Sequence, residues 1–370
     1  VSSNTALTEL FANENQLTSL DVSNNTALAS LYCFTNQLTT LDVSANTALT
    51  GLQCFNNQLT SLDVSSNTAL TSLECQSNQL TSLDVSGATA LTNLYCYSNQ
   101  LTSLNVSNNT ALTGLYVQFN SLTSLDVSNN TALTELKCYY NQLTSLVVSS
   151  NTALTSLNCG GNQLTSLDVS ANTALNALHC NNNQLTSLNV SANTALTELY
   201  CGNNNQLTSL DVSANTSLIQ FNIEGNNFSI LDVSTNTALT YLSCHTNQLT
   251  SLDVSSNTAL TELSCGTNQL TSLDVSNNTA LTNLYCGNNQ LTYLNMKNGI
   301  TDQLNEFSAF DNSLTCIEVN ADDIDYATAN WTYANGNIDE GVGFSVVCAP
   351  DGYTYVPDDN FEQALIDLGY

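Results

Sequence analysis

Leucine returns at a fixed interval of 21 residues, at Leu28, Leu49, Leu70, Leu91, Leu112, Leu133, Leu154, Leu175 and Leu196. One step, to Leu218, is 22 residues, and the interval is 21 again through Leu239, Leu260 and Leu281. A unit this short cannot bury an apolar face alone, so successive units must stack and share one core. Each unit holds two half-units, such as Leu38-x-x-Leu41-x-Val43-x-x-Asn46 and Leu49-x-x-Leu52-x-Cys54-x-x-Asn57. Neither has room for a useful helix, and apolar residues two apart within each follow the strand period. The expectation is an all-β solenoid of about fourteen coils, capped at its C-terminal end, with short parallel strands on two opposite sides.

Both half-units fit L-x-x-L-x-L-x-x-N, the leucine-rich-repeat signature. Its asparagines form two columns, one through Asn25, Asn46, Asn67 and Asn109, the other through Asn36, Asn57, Asn78 and Asn99. A side-chain amide at each turn offers donors and an acceptor to backbone groups that stacking would otherwise leave unpaired.

Eleven of the thirteen cysteines, from Cys33 to Cys286, share one inward position, where Val117 and Ile223 stand in other coils. Exchange with aliphatic residues makes each of them a small buried hydrophobe; bonding between adjacent rungs is the alternative. No C-x-x-C pair suggests a zinc site. Cys316 and Cys348 lie past the last regular coil, and a disulfide between them is expected to close the cap in an oxidising, extracellular setting.

Thirty-one Asp and Glu stand against two basic residues, Lys137 and Lys297. Such a chain repels phosphate backbones and anionic lipid, so neither nucleic acid nor a membrane surface is an expected partner. No apolar run approaches the roughly 18 residues of a membrane span. Asp21, Asp42, Asp63 and Asp84 stand one rung apart, a row that could attract calcium. Calcium takes roughly six to eight oxygens, however, and a flat carboxylate row offers few. Asn105, Val147 and Asn189 also interrupt the row, so diffuse counterions are expected ahead of ordered calcium. No cofactor is implied. His179 and His245 are three coils apart, with no repeated Ser or Asp placed to form a triad. No enzyme activity is expected.

The two sides of the coil differ in their outward residues. One repeats Ser-Asp-Ser almost unchanged, as at Ser19, Asp21 and Ser23 or Ser166, Asp168 and Ser170. The other varies from rung to rung and carries Phe11, Tyr32, Tyr95 and Tyr116 at one position. The neighbouring positions add Phe34, Phe55, Tyr97 and Tyr139, then Phe119 and Tyr140. Outward aromatics gathered on one side mark a recognition surface for a protein or glycan. They also have high strand propensity, so plain stabilisation of the sheet is the competing reading. Under that reading the chain is a structural spacer or an appendage subunit of the cell surface.

The unit L-T-S-L-D-V-S-x-N-T-A-L-T-x-L-x-C-x-x-N-Q resembles the nested repeats of secreted Bacteroidetes leucine-rich-repeat proteins, flavobacterial ones especially. The resemblance covers residues 1–298. Leu314 to Val319, Trp331, and Phe344 to Cys348 resemble the cap that ends those arrays, placed at 299–349. Residues 350–370 resemble a linker and the helical start of a following array's cap, with Asp358 or Asp359 as N-cap and Phe361, Leu365 and Leu368 as its apolar stripe. The resemblance implies export, usually by type IX secretion, and a role in adhesion or ligand binding outside the cell.

Overall fold

The computed structural model describes residues 1–204 and 206–348, so the expected helical start near Asp358 lies outside the described residues. The chain forms two compact units, Val1–Asn227 and a second from Phe228 onwards. Each is a parallel β-solenoid with very little helix.

In the first unit, eleven three-residue strands from Glu9–Phe11 to Gln220–Asn222 pair in parallel in chain order. The register never slips within a repeat: Tyr95 faces Tyr116, and Tyr116 in turn faces Lys137. The second unit repeats the pattern with Tyr241–Ser243, Glu262–Ser264, Asn283–Tyr285 and Glu306–Ser308. A constant register follows from the pleat, since slipping one residue would turn every buried Leu outward.

The opposite side is paired more sparsely. Strands form there at Ser61–Asp63 and Ser82–Asp84 in the first unit. The second unit has Ser272–Asp274, Tyr293–Asn295, Cys316–Glu318 and Gly343–Ser345. Other coils hold this side together with single bonds, such as Gln58 N–H to the Leu38 carbonyl at 2.8 Å and Gln142 N–H to Leu122 at 2.9 Å.

The interior is a set of columns. Leu31, Leu52, Leu73 and Leu94 at the strand centres are buried, as are Val43, Val64 and Val85 across from them. The eleven repeated cysteines are free, fully buried thiols, with Val117 and Ile223 buried in the same column. Burial pushes the thiols of Cys33, Cys96, Cys159, Cys201 and Cys265 up to about 12. They are protonated packing groups rather than nucleophiles.

The two asparagine columns do different work. In the column after the variable strand, Asn57 Nδ2 donates to Cys33 O in the preceding coil (3.0 Å) and to Cys54 O in its own (3.1 Å). Its Oδ1 accepts the N–H of Leu38 at 2.9 Å, so the whole amide is used. In the other column, Asn46 Nδ2 donates to Val22 O (3.0 Å) and Asn25 O (2.8 Å). The buried Oδ1 of Asn46 accepts nothing, and neither do those of Asn67, Asn109 and Asn130. This second column tolerates a gap: Ala88 stands where an Asn would be.

In the second unit the final coils are closed by the short helix Ile324–Asn330 and by Trp331. The Trp331 ring is buried against Phe307 at 4.1 Å and Phe344 at 5.9 Å. Cys316 and Cys348 are joined, with Cα atoms 5.8 Å apart. The buried carboxylate of Glu318 gathers Lys297 Nζ at 2.6 Å and the Cys348 N–H at 3.1 Å.

Candidate recognition surface

The acidic row has a local task. Ser44 N–H donates to Asp42 Oδ1 at 2.9 Å, and the same bond recurs at Ser128–Asp126, Ser170–Asp168 and Ser213–Asp211. Hydrogen bonds from the side chain and backbone of Ser170 hold the Asp168 carboxyl below the usual carboxylate range. Asn supports the turn equally well: Ser107 N–H reaches Asn105 Oδ1 and Ser191 N–H reaches Asn189 Oδ1, both at 3.0 Å. The interchange of Asp and Asn along the row was the sequence signal for this role, since a turn needs an acceptor oxygen and not a charge.

On the variable side, the first unit gathers the aromatic residues into two patches. The lower patch pairs Phe11 with Tyr32 at 4.7 Å and Phe34 with Phe55 at 4.4 Å, both nearly parallel stacks. The upper patch begins with Tyr95 on Tyr116, 4.4 Å between centroids and 5° between planes. Phe119 and Tyr140 stack at 5.1 Å, and Tyr139 meets both edge-on at 5.2 and 5.8 Å. Tyr97 is half-buried and joins none of these ring pairs among the described residues. Between the patches runs the rung of Glu74 and Gln76, which carries no aromatic residue.

Phe119 and Tyr140 owe their placement to the turn. The residue before each column asparagine has a left-handed backbone, with φ of 55° at Phe119, 50° at Tyr140 and 61° at Gly161. That conformation costs a bulky L-residue about 1–2 kcal/mol. Both residues nevertheless stay exposed, at 47% and 52%. Gly161 is required beside them: a Cβ there would lie 2.5 Å from the Tyr140 ring. Tyr140 is therefore covered by Phe119 on one face and by the Gly161 backbone on the other.

Polar groups brace the upper patch. The Tyr116 hydroxyl donates to Glu135 Oε2 at 2.5 Å, and Lys137 Nζ sits 2.8 Å from Glu135 Oε1. The same ammonium lies over the Tyr116 ring, 5.4 Å from its centroid. Burial first, and then the Glu135 carboxylate, push the Tyr116 phenol well above its usual value. Burial works to raise Glu135, but the hydrogen bonds from Lys137 and Tyr116 outweigh it and hold the carboxyl low. Gly114 leaves room for the arrangement, because a Cβ there would meet Tyr116 Cε2 at 2.9 Å. Glu135, Lys137, Gly114 and Gly161 were not among the sequence candidates for the surface. Counting 21 residues from Tyr116 and Tyr140 finds Lys137 and Gly161, and Glu135 and Gly114 stand two residues before Lys137 and Tyr116 on the same strands, but only the folded chain decides which pairs touch.

A protein-family model described as an LVIVD repeat matches residues 114–141, the segment that carries Tyr116, Phe119, Tyr139 and Tyr140. No curated protein sequence matches the chain. Among solved structures, the functional domain of InlJ from Listeria monocytogenes, described as including a cysteine ladder, is 41% identical. The match covers 86% of this chain and 70% of that one, with a TM-score of 0.80. A leucine-rich-repeat protein of Leptospira interrogans is 23% identical over 91% of this chain and 97% of its own, with a TM-score of 0.77. A plant peptide hormone receptor, RGFR1 in complex with RGF2, is 20% identical over 87% of this chain and 57% of its own, with a TM-score of 0.74. The last two share the fold alone.

Proposed function

Since the chain belongs to the internalin-like family of leucine-rich-repeat proteins, we propose that it is a non-enzymatic recognition or adhesion module. It works outside the cell or on its outer surface, and holds a protein ligand on the aromatic-bearing side of its first unit. One observation carries this reading: outward variation is confined to one side of an otherwise uniform coil. Along the paired strands the central outward residue reads Phe11, Tyr32, Gln53, Glu74, Tyr95, Tyr116, Lys137 and Asn158. On the other side, Ser, Asp and Ser recur with few exceptions.

A protein suits this surface better than a glycan. Sugar rings are held by stacking on open aromatic faces, and here one face each of Tyr95, Tyr116, Phe119 and Tyr140 is taken by a neighbouring ring, while Lys137 and Gly161 take the other faces of Tyr116 and Tyr140. What remains outward there is chiefly ring edges and phenolic hydroxyls, which suit carbonyl groups and side chains of a polypeptide. Recognition of a peptide by this fold has a precedent in the plant hormone receptor complex.

The regular stacks at Phe11–Tyr32 and Phe34–Phe55 favour a second reading, that of a spacer whose rings tie rungs together at about 0.5–1.5 kcal/mol per pair. Binding of the purified chain to a panel of cell-surface proteins and glycans, with and without calcium, separates the two. The comparison is a folded variant carrying Tyr95→Ala, Tyr97→Ala, Tyr116→Ala and Tyr139→Ala. The recognition reading expects the native chain to bind a protein and the variant to lose it. Equal binding by both, or binding by neither, leaves the spacer.

A further inference from the structure

We infer that the Tyr95–Tyr116 stack has a second cation seat, over Tyr95 beside Glu74, which takes a lysine or arginine side chain of the partner. This rests on the reading of the aromatic side as a protein-binding surface. The geometry comes from one outward position followed through five rungs. Gln53, Glu74, Tyr95, Tyr116 and Lys137 are successive register partners in the parallel sheet. The two tyrosine rings lie flat on each other in the middle of this column.

The upper end of the stack already shows what such a site does. Lys137 Nζ lies over Tyr116 and is held by the Glu135 carboxylate at 2.8 Å. The ring's negative face and the carboxylate together attract one ammonium. The lower end has the same two kinds of group. Tyr95 turns its second face toward the rung where its register partner is Glu74. Glu74 is half-buried, and one of its oxygens, Oε1, accepts Gln53 Nε2 at 2.9 Å. Its other oxygen takes no hydrogen bond among the described residues.

The first unit cannot fill this seat itself. Lys137 is its one basic residue, and that side chain is committed to Glu135 and Tyr116. The cation must come from outside, and a chain with a formal net charge of −29 steers basic segments inward. Arginine fits best, because a planar guanidinium lies on a ring while its N–H edge meets a carboxylate. The seat lies between the two aromatic patches, so a partner's basic side chain would land between two apolar contact areas.

The test uses the full chain and a probe that needs no knowledge of the partner: N-acetyl-L-arginine amide, followed by NMR titration. N-acetyl-L-citrulline amide is its uncharged counterpart. The arginine probe should bind, with its side-chain methylene signals moved upfield by ring current, and the citrulline probe should not. Glu74→Gln should weaken the arginine probe about five-fold, and Tyr95→Leu should abolish the upfield movement. Asp168→Asn removes the same charge from the uniform side, where asparagine already stands in other coils, and should change affinity less than two-fold. Equal effects of Glu74→Gln and Asp168→Asn would mean that bulk charge alone attracts the probe, and the seat would be refuted. No probe binding, or no ring-current movement, refutes it equally. If the chain captures a protein through its tyrosines while the arginine probe ignores Glu74, the inference fails and the recognition reading stands. If the four-tyrosine variant captures that protein as well as the native chain does, both fail.

Discussion

Replacing Asn141 and Asn130 by alanine, one at a time, tests whether the two asparagine columns are unequal. Asn141 Nδ2 donates to Val117 O at 3.0 Å and Cys138 O at 3.1 Å, and its Oδ1 accepts the N–H of fully buried Leu122 at 2.9 Å. Alanine leaves that N–H without a partner, at a cost of about 1–3 kcal/mol, and forfeits two further bonds of about 1 kcal/mol each. Both carbonyls keep another donor, Asn120 Nδ2 at Val117 and Asn162 Nδ2 at Cys138. The expected loss is therefore about 3–5 kcal/mol. Asn130 Nδ2 donates to Val106 O and Asn109 O, both at 2.9 Å, while its buried Oδ1 accepts nothing. Alanine there orphans no N–H, both carbonyls keep backbone donors from Asn109 and Leu112, and an unpaired buried oxygen disappears. A loss of about 1 kcal/mol follows. Urea unfolding followed by circular dichroism would rank the two variants. Hydrogen exchange at the Leu122 amide would localise the damage, since coupling in a solenoid passes between neighbouring coils. The reasoning is refuted if Asn130→Ala costs as much as Asn141→Ala, or if Leu122 stays protected in the latter.

Thr35 has φ of 55° at the turn position where Gly161 and Gly225 stand in other coils. Thr35→Gly should raise stability by about 0.5–1 kcal/mol, seen as a higher melting temperature, because a β-branched residue is strained there. Cys138→Val should leave the melting temperature nearly unchanged, as Val117 occupies that column, whereas Cys138→Ser should cost about 2 kcal/mol by burying a hydroxyl. All eleven column thiols should stay silent to a thiol reagent until the chain unfolds. The Asp168 carboxyl, like those of Asp126 and Asp211, is held below its ordinary value by bonds from the serine two residues on. A depressed folded value gives stability that is present above the unfolded value, near 3.9, and is lost as pH falls through the folded one. The denaturation midpoint should therefore hold down to about pH 5 and drop below about pH 4. Asp168→Asn should remove that site's share of the drop.

Much of the candidate surface was legible from counting. A 21-residue period puts Tyr95 and Tyr116 on adjacent rungs, and Phe119 and Tyr140 likewise, because a parallel register cannot slip without exposing Leu94 or Leu115. What the rings do with that adjacency was not legible. Spacing allows Tyr139 to stack, to stand apart or to meet its neighbours edge-on, and the choice depends on Gly161 making room for Tyr140. The left-handed turn was hidden for a different reason. Thr35, Asn56, Ser77, Phe119 and Tyr140 all occupy it, and no single residue type betrays a conformation imposed by the asparagine that follows.

The sequence by itself determined the coil, its inward columns of Leu, Val and Cys, and the side on which variation is allowed. Those features depend on periodicity, which stacking turns directly into position. Tertiary structure decided how outward groups pair within and across rungs: Glu135 with Lys137 and Tyr116, and Tyr140 with Phe119 and Gly161. A repeat specifies which residues become neighbours. Side-chain rotamers and the space left by a missing Cβ then select among the contacts those neighbours can make, and these are settled only once the coils have stacked.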